Sequence, residues 1–334
     1  FFNLIRMNTH TDWAVSSAPA KVILFGEHFV VYNNPAIVAA INRRIRVQVQ
    51  LNDKSRISIR SGENSLSVPV NSNDHYTMYH DTNSISLFPI FKCIKYVFKE
   101  KNLSNVGANL EIESQIPYGE GLGSSAASCV SSVAALYSLF SDFDKTQIYE
   151  TARIMEQNIH TNSSGVDCYV STFGGIVNFE PDKGFSYEIP KKKFTLLIGI
   201  SGIKHSTGKV VSQVRQFRQE NSSVFKDLKS KAREICKSAV ISMNQGDESE
   251  LGNLLSENHK LLASLGVSHP EIEKMIETCL DNGAFGAKLT GAGMGGAVIA
   301  LIPNDLGNEI LAKMSKGPGK WMLVELDYDG VTLG

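Results

Sequence analysis

A run of small residues at positions 116–127 constrains this chain more than any other feature. It reads Ile-Pro-Tyr-Gly-Glu-Gly-Leu-Gly-Ser-Ser-Ala-Ala, and three glycines fall within five of its residues. Before the run, apolar and polar residues alternate over positions 108–113, which is the period of a half-buried strand. After it, apolar residues recur at helical spacing as far as Phe140. The sequence therefore predicts a strand, a glycine turn and a helix that begins at the glycines.

The start of that helix is a predicted anion site. The first N–H groups of a helix have no intrahelical partners and carry the positive end of the helix dipole. Glycines at positions 119, 121 and 123 remove the Cβ atoms that would keep a phosphate away from main-chain N–H groups. The phosphates of a nucleotide fit such a turn best. A plain connection between strand and helix is the alternative.

Two better-known phosphate motifs are excluded. A Walker A loop needs a lysine directly after its last glycine, whereas Ser124 follows Gly123 here. Residues 121–126 spell the Rossmann pattern G-x-G-x-x-A, but that motif requires a second strand that ends at an acidic residue. Asp144 instead opens a predicted helix as part of a capping box. A dinucleotide at this turn would therefore have no partner for its ribose.

The composition excludes several classes of partner. The chain has 33 basic and 34 acidic residues among 334, so we expect no charged surface for nucleic acid or an anionic membrane. No apolar stretch is long enough to span a membrane. The short segment before Met7 is interpreted as an extension outside the fold.

The cysteine pattern predicts a reduced, cytoplasmic protein. There are five cysteines, an odd number, and none are spaced as C-x-x-C. This pattern argues against a disulfide framework and against a zinc site, and it indicates buried thiols. The residues are Cys93, Cys129, Cys168, Cys236 and Cys279.

The chain is long enough for two domains, and its pattern changes near residues 180–190. The predicted elements of the first half are strands at 22–25, 45–51, 57–59 and 66–70 and a helix at 85–98. Those of the second half are strands at 194–200, 287–289 and 297–302, helical stretches at 210–245 and 248–264, and a helix from Pro270 to Asn282. A break at Glu180 to Gly184 places the predicted domains at residues 7–185 and 186–334.

Several polar residues are candidates for phosphoryl-transfer chemistry. A triphosphate arrives with Mg²⁺, which takes oxygen ligands, and Ser124, Ser125 and Glu156 offer them. Asp167 follows in a polar loop and suits the base that a hydroxyl acceptor needs. Lys21, just before an apolar strand, is the cation that would hold Asp167 ionised. Taken singly, Glu156 and Lys21 are better explained as ordinary surface residues.

Two further segments have both a functional and a structural explanation. Gly26-Glu27-His28 ends the strand after Lys21, and such strand ends often form sites in mixed proteins. A hydrogen-bonded turn explains the same three residues. The glycine-rich segment from Gly291 to Gly296 is either a second phosphate contact or a hairpin packed closely against a neighbour.

Three separated motifs together resemble the GHMP small-molecule kinases. They are Pro19 to Tyr32, which contains Gly-Glu-His; Pro117 to Ala127; and Lys288 to Gly296, which reads Lys-Leu-Thr-Gly-Ala-Gly-Met-Gly-Gly. Their order and spacing cover nearly the whole chain. Within the family, the run from Glu156 to Gly175 is most similar to the mevalonate kinases.

The resemblance implies a fold, an activity and a set of partners. The fold is α+β, with an N-terminal domain like domain 2 of ribosomal protein S5 and a ferredoxin-like C-terminal domain. The activity is ATP-dependent phosphorylation of the primary hydroxyl of (R)-mevalonate in isoprenoid biosynthesis. Mg²⁺ is the implied cofactor, ATP the co-substrate and mevalonate the acceptor, and homodimers are common among such kinases.

The resemblance also implies roles for individual residues. Asp167 would be the base and Lys21 the cation beside it, with Ser125 and Glu156 as Mg²⁺ ligands. Glu27, His28 and Thr207 would lie on the substrate side. The implied ATP contacts are Pro117, Gly119, Gly121, Leu122, Gly123, Ser124, Ser125 and Ala126.

The chain departs from the family pattern in three places. Ala20 stands where glycine is common, Thr161-Asn162-Ser163 replaces Gly-Asn-Pro, and His205 to Lys209 lacks an arginine that the family has on the substrate side. Two other functions stay open: a sister GHMP kinase for a phosphorylated or sugar alcohol, and a catalytically silent member that binds nucleotide and substrate as a sensor. Retention of Lys21 and Asp167 together argues against the sensor.

Overall fold

Two β-sheets and the helices packed on them form the described part of the chain. The computed structural model describes residues 13–72, 87–117, 119–140, 143–157, 164–204, 206–317 and 319–334. The strands are β1 (Ala14–Phe25), β2 (Ala36–Asn52), β3 (Arg56–Ser61), β4 (Asn64–Pro69), β5 (Gly107–Ser114), β6 (Ile176–Glu180), β7 (Gly184–Glu188), β8 (Thr195–Ile200), β9 (Gly286–Thr290), β10 (Ala297–Ile302), β11 (Lys320–Val324) and β12 (Thr332–Leu333). The helices are α1 (Phe88–Glu100), α2 (Ser124–Ser138), α3 (Lys145–Gln157), α4 (Val166–Phe173), α5 (Thr207–Glu220), α6 (Ser222–Gln245), α7 (Glu248–Ser264), α8 (Pro270–Asp281) and α9 (Gly307–Met314).

The first sheet has the order β12-β1-β2-β5-β3-β4, and the long strand β2 organises it. The first residues of β2 pair with β6, while its last eight residues pair with β5. All of these pairs are antiparallel except β3 with β5. The second sheet has the order β11-β8-β10-β9 and is antiparallel throughout. The division of the chain at residues 185 and 186 stays a prediction.

Helix α2 packs against β1 and β2 through small side chains. Ala18 and Ala20 of β1, and Ala126 and Ala127 of α2, are buried in one apolar core. Methyl groups on both elements let the helix axis approach the sheet closely. The N-terminus of α2 is therefore held next to the end of β1, where the candidate site residues lie.

Several predicted elements are confirmed with changed boundaries. The strand predicted at 22–25 is the end of β1, which begins at Ala14 because alternation of buried positions continues through its first half. The single helical stretch predicted at 210–245 is wrong, because the structure has two helices there, α5 and α6. The backbone leaves the helical region between them at Asn221, with φ −124° and ψ 49°. The five cysteines are buried and unpaired, as predicted. Within the described ranges, each helix is too short or too polar to cross a membrane.

The segment between β11 and β12 is held to the first sheet by an ion pair between Asp327 and Arg44 of β2. Arg44 also donates hydrogen bonds to the carbonyls of Ser17 (3.0 Å) and Gly330 (2.6 Å). The Asp327 carboxylate accepts in turn from the Gly330 N–H at 3.0 Å. These contacts hold the C-terminal segment against β1 and β2.

We expect Asp327→Asn to lower the free energy of unfolding by about 2–4 kcal/mol, because it leaves the Arg44 guanidinium without its counter-charge in a mostly buried place. Urea unfolding measures this loss. Asp227→Asn is the matched control, since Asp227 pairs with Lys231 on an exposed helix face. The control should change stability by less than about 1 kcal/mol; equal losses in the two variants would show that the Arg44 network adds nothing.

Candidate active site

The phosphate loop, residues 117–125, joins β5 to α2, and residue 118 lies outside the described residues. Gly119, Gly121 and Gly123 have φ values of 80°, 79° and 77°. This left-handed conformation strains residues that carry a Cβ, which explains the repeated glycines. Helix α2 begins at Ser124, directly after Gly123, as the sequence predicts. The N–H groups of its first turn thus lie at the loop, as an anion site requires.

Two serines at the start of α2 present hydroxyl groups at the same place. Ser124 and Ser125 are half-buried. Within the described ranges neither hydroxyl has a hydrogen-bond partner, whereas the next two residues, Ala126 and Ala127, are buried in the core. The loop therefore combines main-chain donors with side-chain oxygens that a ligand can contact.

The phosphate loop is fixed to β1 at Lys21. The Lys21 N–H donates a hydrogen bond of 3.0 Å to the Leu122 carbonyl. A Cβ placed on Gly123 would lie 2.7 Å from Cγ of Lys21, so the lysine stem packs directly on the loop. Leu122 itself is buried and anchors the loop in the core. Pro117, at the other end of the loop, is half-buried.

The structure brings Lys21 and Asp167 together, as the sequence predicts. The Lys21 ammonium lies 3.1 Å from Oδ2 of Asp167. The lysine side chain is 5% exposed and the aspartate 33%, so one side of the carboxylate remains open to a ligand. Asp167 lies in the first turn of α4, and Ser171 of that helix donates to the Pro19 carbonyl at 2.9 Å. Strand β1 thus positions both members of the pair.

Glu156 lies near the end of α3 and is buried. The Cys168 thiol donates a hydrogen bond of 3.3 Å to its Oε2 atom. Burial, followed by the Glu156 charge, raises the pKa of Cys168 well above its usual value, so the thiol keeps its proton and remains a donor. Sequence reasoning missed this contact, because Cys168 was interpreted only as a buried thiol.

The donor set fits Mg²⁺. Among the residues that the structure describes, no group of three or more His, Cys, Asp or Glu side chains could hold a metal ion. Mg²⁺ does not require such a group, since it is commonly bound by one or two carboxylates, phosphate oxygens and water. Ser125 and Glu156 are hard oxygen donors on two helices, α2 and α3, that pack against each other.

Glu27 and His28 follow β1 and contact the second sheet. A carboxylate oxygen of Glu27 pairs with the ammonium of Lys288 in β9, and both side chains are fully buried. His28 Nε2 donates a hydrogen bond of 2.8 Å to the Ala292 carbonyl. Burial lowers the pKa of His28 and so favours the neutral ring, in the tautomer whose Nε2 carries the proton for this bond. Glu27 and His28, two of the three predicted substrate residues, therefore hold the two sheets together.

Sequence reasoning missed Lys288 and Thr290, although both belong to the third motif. Their side chains lie two residues apart on β9 and face β1. The Thr290 hydroxyl accepts from the Ile23 N–H and donates to the Ile23 carbonyl, both at 3.1 Å. The available signal was a lysine between Ala287 and Leu289 in a predicted strand, because a lysine has to be paired when it is buried.

The second glycine loop, residues 291–296, lies against the phosphate loop. A Cβ on Gly121 would be 3.6 Å from Cα of Gly291. Other glycines of this loop pack on neighbouring backbone: a Cβ on Gly293 would lie 2.2 Å from the Val267 carbonyl oxygen, and one on Gly295 would lie 2.6 Å from that of Ile203. Close packing therefore accounts for Gly293 and Gly295, and Gly291 remains next to the phosphate loop.

Thr207 is the remaining predicted substrate residue. It is the first residue of α5 and is exposed, and within the described ranges it makes no hydrogen bond to the other predicted site residues. The preceding loop does approach, since the Ser201 N–H donates to the Gly296 carbonyl at 2.9 Å. Residues 158–163 and His205 lie outside the described residues, and they include Thr161-Asn162-Ser163 and the first residue of the run from His205 to Lys209.

Two family models match the chain. The GHMP kinase N-terminal domain matches residues 89–175, and the GHMP kinase C-terminal domain matches residues 233–319. The first match contains the phosphate loop, Glu156 and Asp167, and the second contains the second glycine loop.

Similar proteins of known name cover almost the whole chain. The mevalonate kinase of Pyrococcus furiosus is 34% identical over 330 residues, which span 96% of this chain and 98% of the relative. The mevalonate kinase of Archaeoglobus fulgidus is 35% identical over 292 residues, 87% of this chain and 93% of the relative. The crystal structure of L. major mevalonate kinase in complex with R-mevalonate aligns with a TM-score of 0.79 at 27% identity, covering 93% of this chain and 95% of that one.

Proposed function

Because this chain belongs to the mevalonate kinases of the GHMP kinase family, we propose that it transfers the γ-phosphoryl group of ATP to the primary hydroxyl of (R)-mevalonate. The observation that carries the proposal is the Lys21–Asp167 ion pair, 3.1 Å long, beside an amide-lined loop at a helix N-terminus. A nucleotide's phosphates fit the loop, and the open side of Asp167 fits an alcohol.

Asp167 acts as the base in the proposed reaction. The C5 hydroxyl oxygen of mevalonate attacks the γ-phosphorus, the bond from that phosphorus to the β-bridging oxygen breaks, and ADP leaves. The hydroxyl proton passes to the Asp167 carboxylate as the new O–P bond forms. Lys21 pairs with the Asp167 carboxylate before transfer and stabilises negative charge on the transferring group.

The phosphate loop supplies position and charge complementarity. Phosphoryl transfer has a loose transition state, so catalysis depends mainly on placing the reactants and neutralising charge on the phosphate oxygens. The N–H groups around Gly121, Gly123 and Ser124 do both without reorganising during the reaction. Ser125 and Glu156 would hold Mg²⁺, which neutralises phosphate charge when it is bound.

Replacing Glu156 with glutamine should raise the Mg²⁺ concentration needed for half-maximal activity by about tenfold or more, because a neutral amide binds Mg²⁺ more weakly than a carboxylate does. The KM for mevalonate should change by less than about threefold. Titrating Mn²⁺ into the protein by electron paramagnetic resonance gives a second readout that does not depend on turnover. Unchanged metal dependence in both measurements would remove Glu156 from the ligand set.

A panel of acceptors tests the proposal against its alternatives. With labelled ATP, mevalonate should give a kcat/KM at least about 100-fold above those of phosphomevalonate, galactose and homoserine. A preference for phosphomevalonate or a sugar would assign the chain to a sister activity. Binding of ATP and mevalonate with no transfer to any acceptor would instead support the sensor.

A further inference from the structure

Lys288 is a cation inside a buried strand. All five residues of β9 are buried, and the Lys288 side chain has no exposed surface. Its ammonium contacts one carboxylate oxygen of Glu27 and lies 3.5 Å from the Ile23 carbonyl. Removing two charges from water costs several kcal/mol per ion, and apolar residues of similar volume are often as stabilising as such a pair. Stability is therefore a weak explanation for this lysine.

The second oxygen of the same carboxylate is a buried acceptor. Oε2 of Glu27 is buried, and within the described ranges no hydrogen bond reaches it. Buried carboxylate oxygens are nearly always paired, so an unpaired one points to a ligand or to water. Burial raises the pKa of Glu27, whereas Lys288 and, more weakly, Lys21 lower it. Glu27 is thus within electrostatic range of the cation that pairs with Asp167.

The pair also joins the two sheets at the site. Glu27 follows β1 of the first sheet, and Lys288 lies on β9 at the edge of the second sheet. His28, the next residue, bonds to Ala292 of the second glycine loop. The position of β9 therefore fixes where the Glu27 carboxylate lies relative to Lys21.

We propose that Lys288 is a positioning residue for the phosphoryl acceptor: it holds one oxygen of Glu27 so that Oε2 accepts a hydrogen bond from an acceptor hydroxyl. The free oxygen of the Glu27 carboxylate is a hydrogen-bond acceptor, so it binds hydrogen-bond donors and repels the carboxylate of the acceptor substrate. In a hydroxy acid, the hydrogen-bond donors are the hydroxyl groups. The assignment rests on the proposed function, since it takes the acceptor to be mevalonate.

The test compares three variants with the wild-type enzyme. Lys288→Met removes the charge while keeping the volume of the side chain. We expect it to raise the KM for mevalonate by about 10- to 100-fold, the equivalent of one hydrogen bond to a charged group, while the KM for ATP stays within about threefold. The double variant Glu27→Gln/Lys288→Met removes both buried charges, so its melting temperature should return toward that of the wild type. Its KM for mevalonate should remain raised.

Asp327→Asn is the matched control, because it breaks the Arg44 ion pair, which involves none of the predicted site residues. It should lower the melting temperature without changing the KM for mevalonate. A KM for mevalonate equal to that of the wild type in Lys288→Met would overturn the positioning role. If Lys288→Met does not fold, the same result in the double variant would overturn it. An equal rise in KM in Asp327→Asn would do the same. An inactive wild-type enzyme would instead reject the proposed function, which separates the two failures.

Discussion

Replacing Asp167 with asparagine should lower kcat by a factor on the order of 10² to 10⁴. The amide has the shape of the carboxylate but cannot accept the proton of the acceptor hydroxyl. It also leaves the buried Lys21 ammonium without the charge that lies 3.1 Å from it in the wild type. ATP binding depends on the phosphate loop and should change by less than about threefold.

Single-turnover transfer and nucleotide binding, measured on the same preparation, check this expectation. Asp182→Asn is the control, because Asp182 is an exposed carboxylate in the turn between β6 and β7. The control should transfer phosphate at the wild-type rate. Turnover in Asp167→Asn close to that of the control would contradict the role of Asp167 as base.

Gly123→Ala should lower kcat by a factor on the order of 10² through its effect on Lys21. The new Cβ would lie 2.7 Å from Cγ and 3.0 Å from Cε of Lys21, so the lysine stem has to move. The ammonium then loses its position against Asp167. The positive φ of residue 123 adds backbone strain of about 1–2 kcal/mol.

Gly119→Ala separates the backbone strain from the displacement of Lys21. Gly119 has nearly the same φ, 80°, yet nothing lies within 4 Å of a Cβ built on it. Its kcat should fall by less than about tenfold. Steady-state kinetics and crystal structures of both variants measure the contrast. Equal losses of kcat in the two variants, or an unchanged position of the Lys21 side chain in Gly123→Ala, would contradict the expected displacement of Lys21.

The sequence predicted the local features of the site well. Glycines that require positive φ and small residues that allow a helix to approach a strand are local signals, and they placed the start of α2 correctly. The pairing of Lys21 with Asp167 was a chemical expectation, since a base for a hydroxyl has to be kept ionised. The predicted α+β fold and GHMP kinase membership are confirmed by the family models and the similar proteins.

The long-range contacts could not be predicted in the same way. Lys288 meets Glu27 across 261 positions of the chain, and Arg44 meets Asp327 across 283. Such pairs depend on the order of strands in each sheet and on how the sheets pack, and neither is encoded in a local pattern. The break between α5 and α6 was missed because apolar periodicity continues on both sides of Asn221. The role of each site residue, the bound metal and a homodimer stay predictions.

Release of ADP with (R)-mevalonate as the acceptor, with the product identified by phosphorus–proton NMR, tests the central claim most directly. The proposal predicts ADP release that depends on both mevalonate and Mg²⁺, and a product whose phosphorus couples to the two protons on C5. ADP release that mevalonate does not increase, or a phosphate on another oxygen of the product, would contradict it.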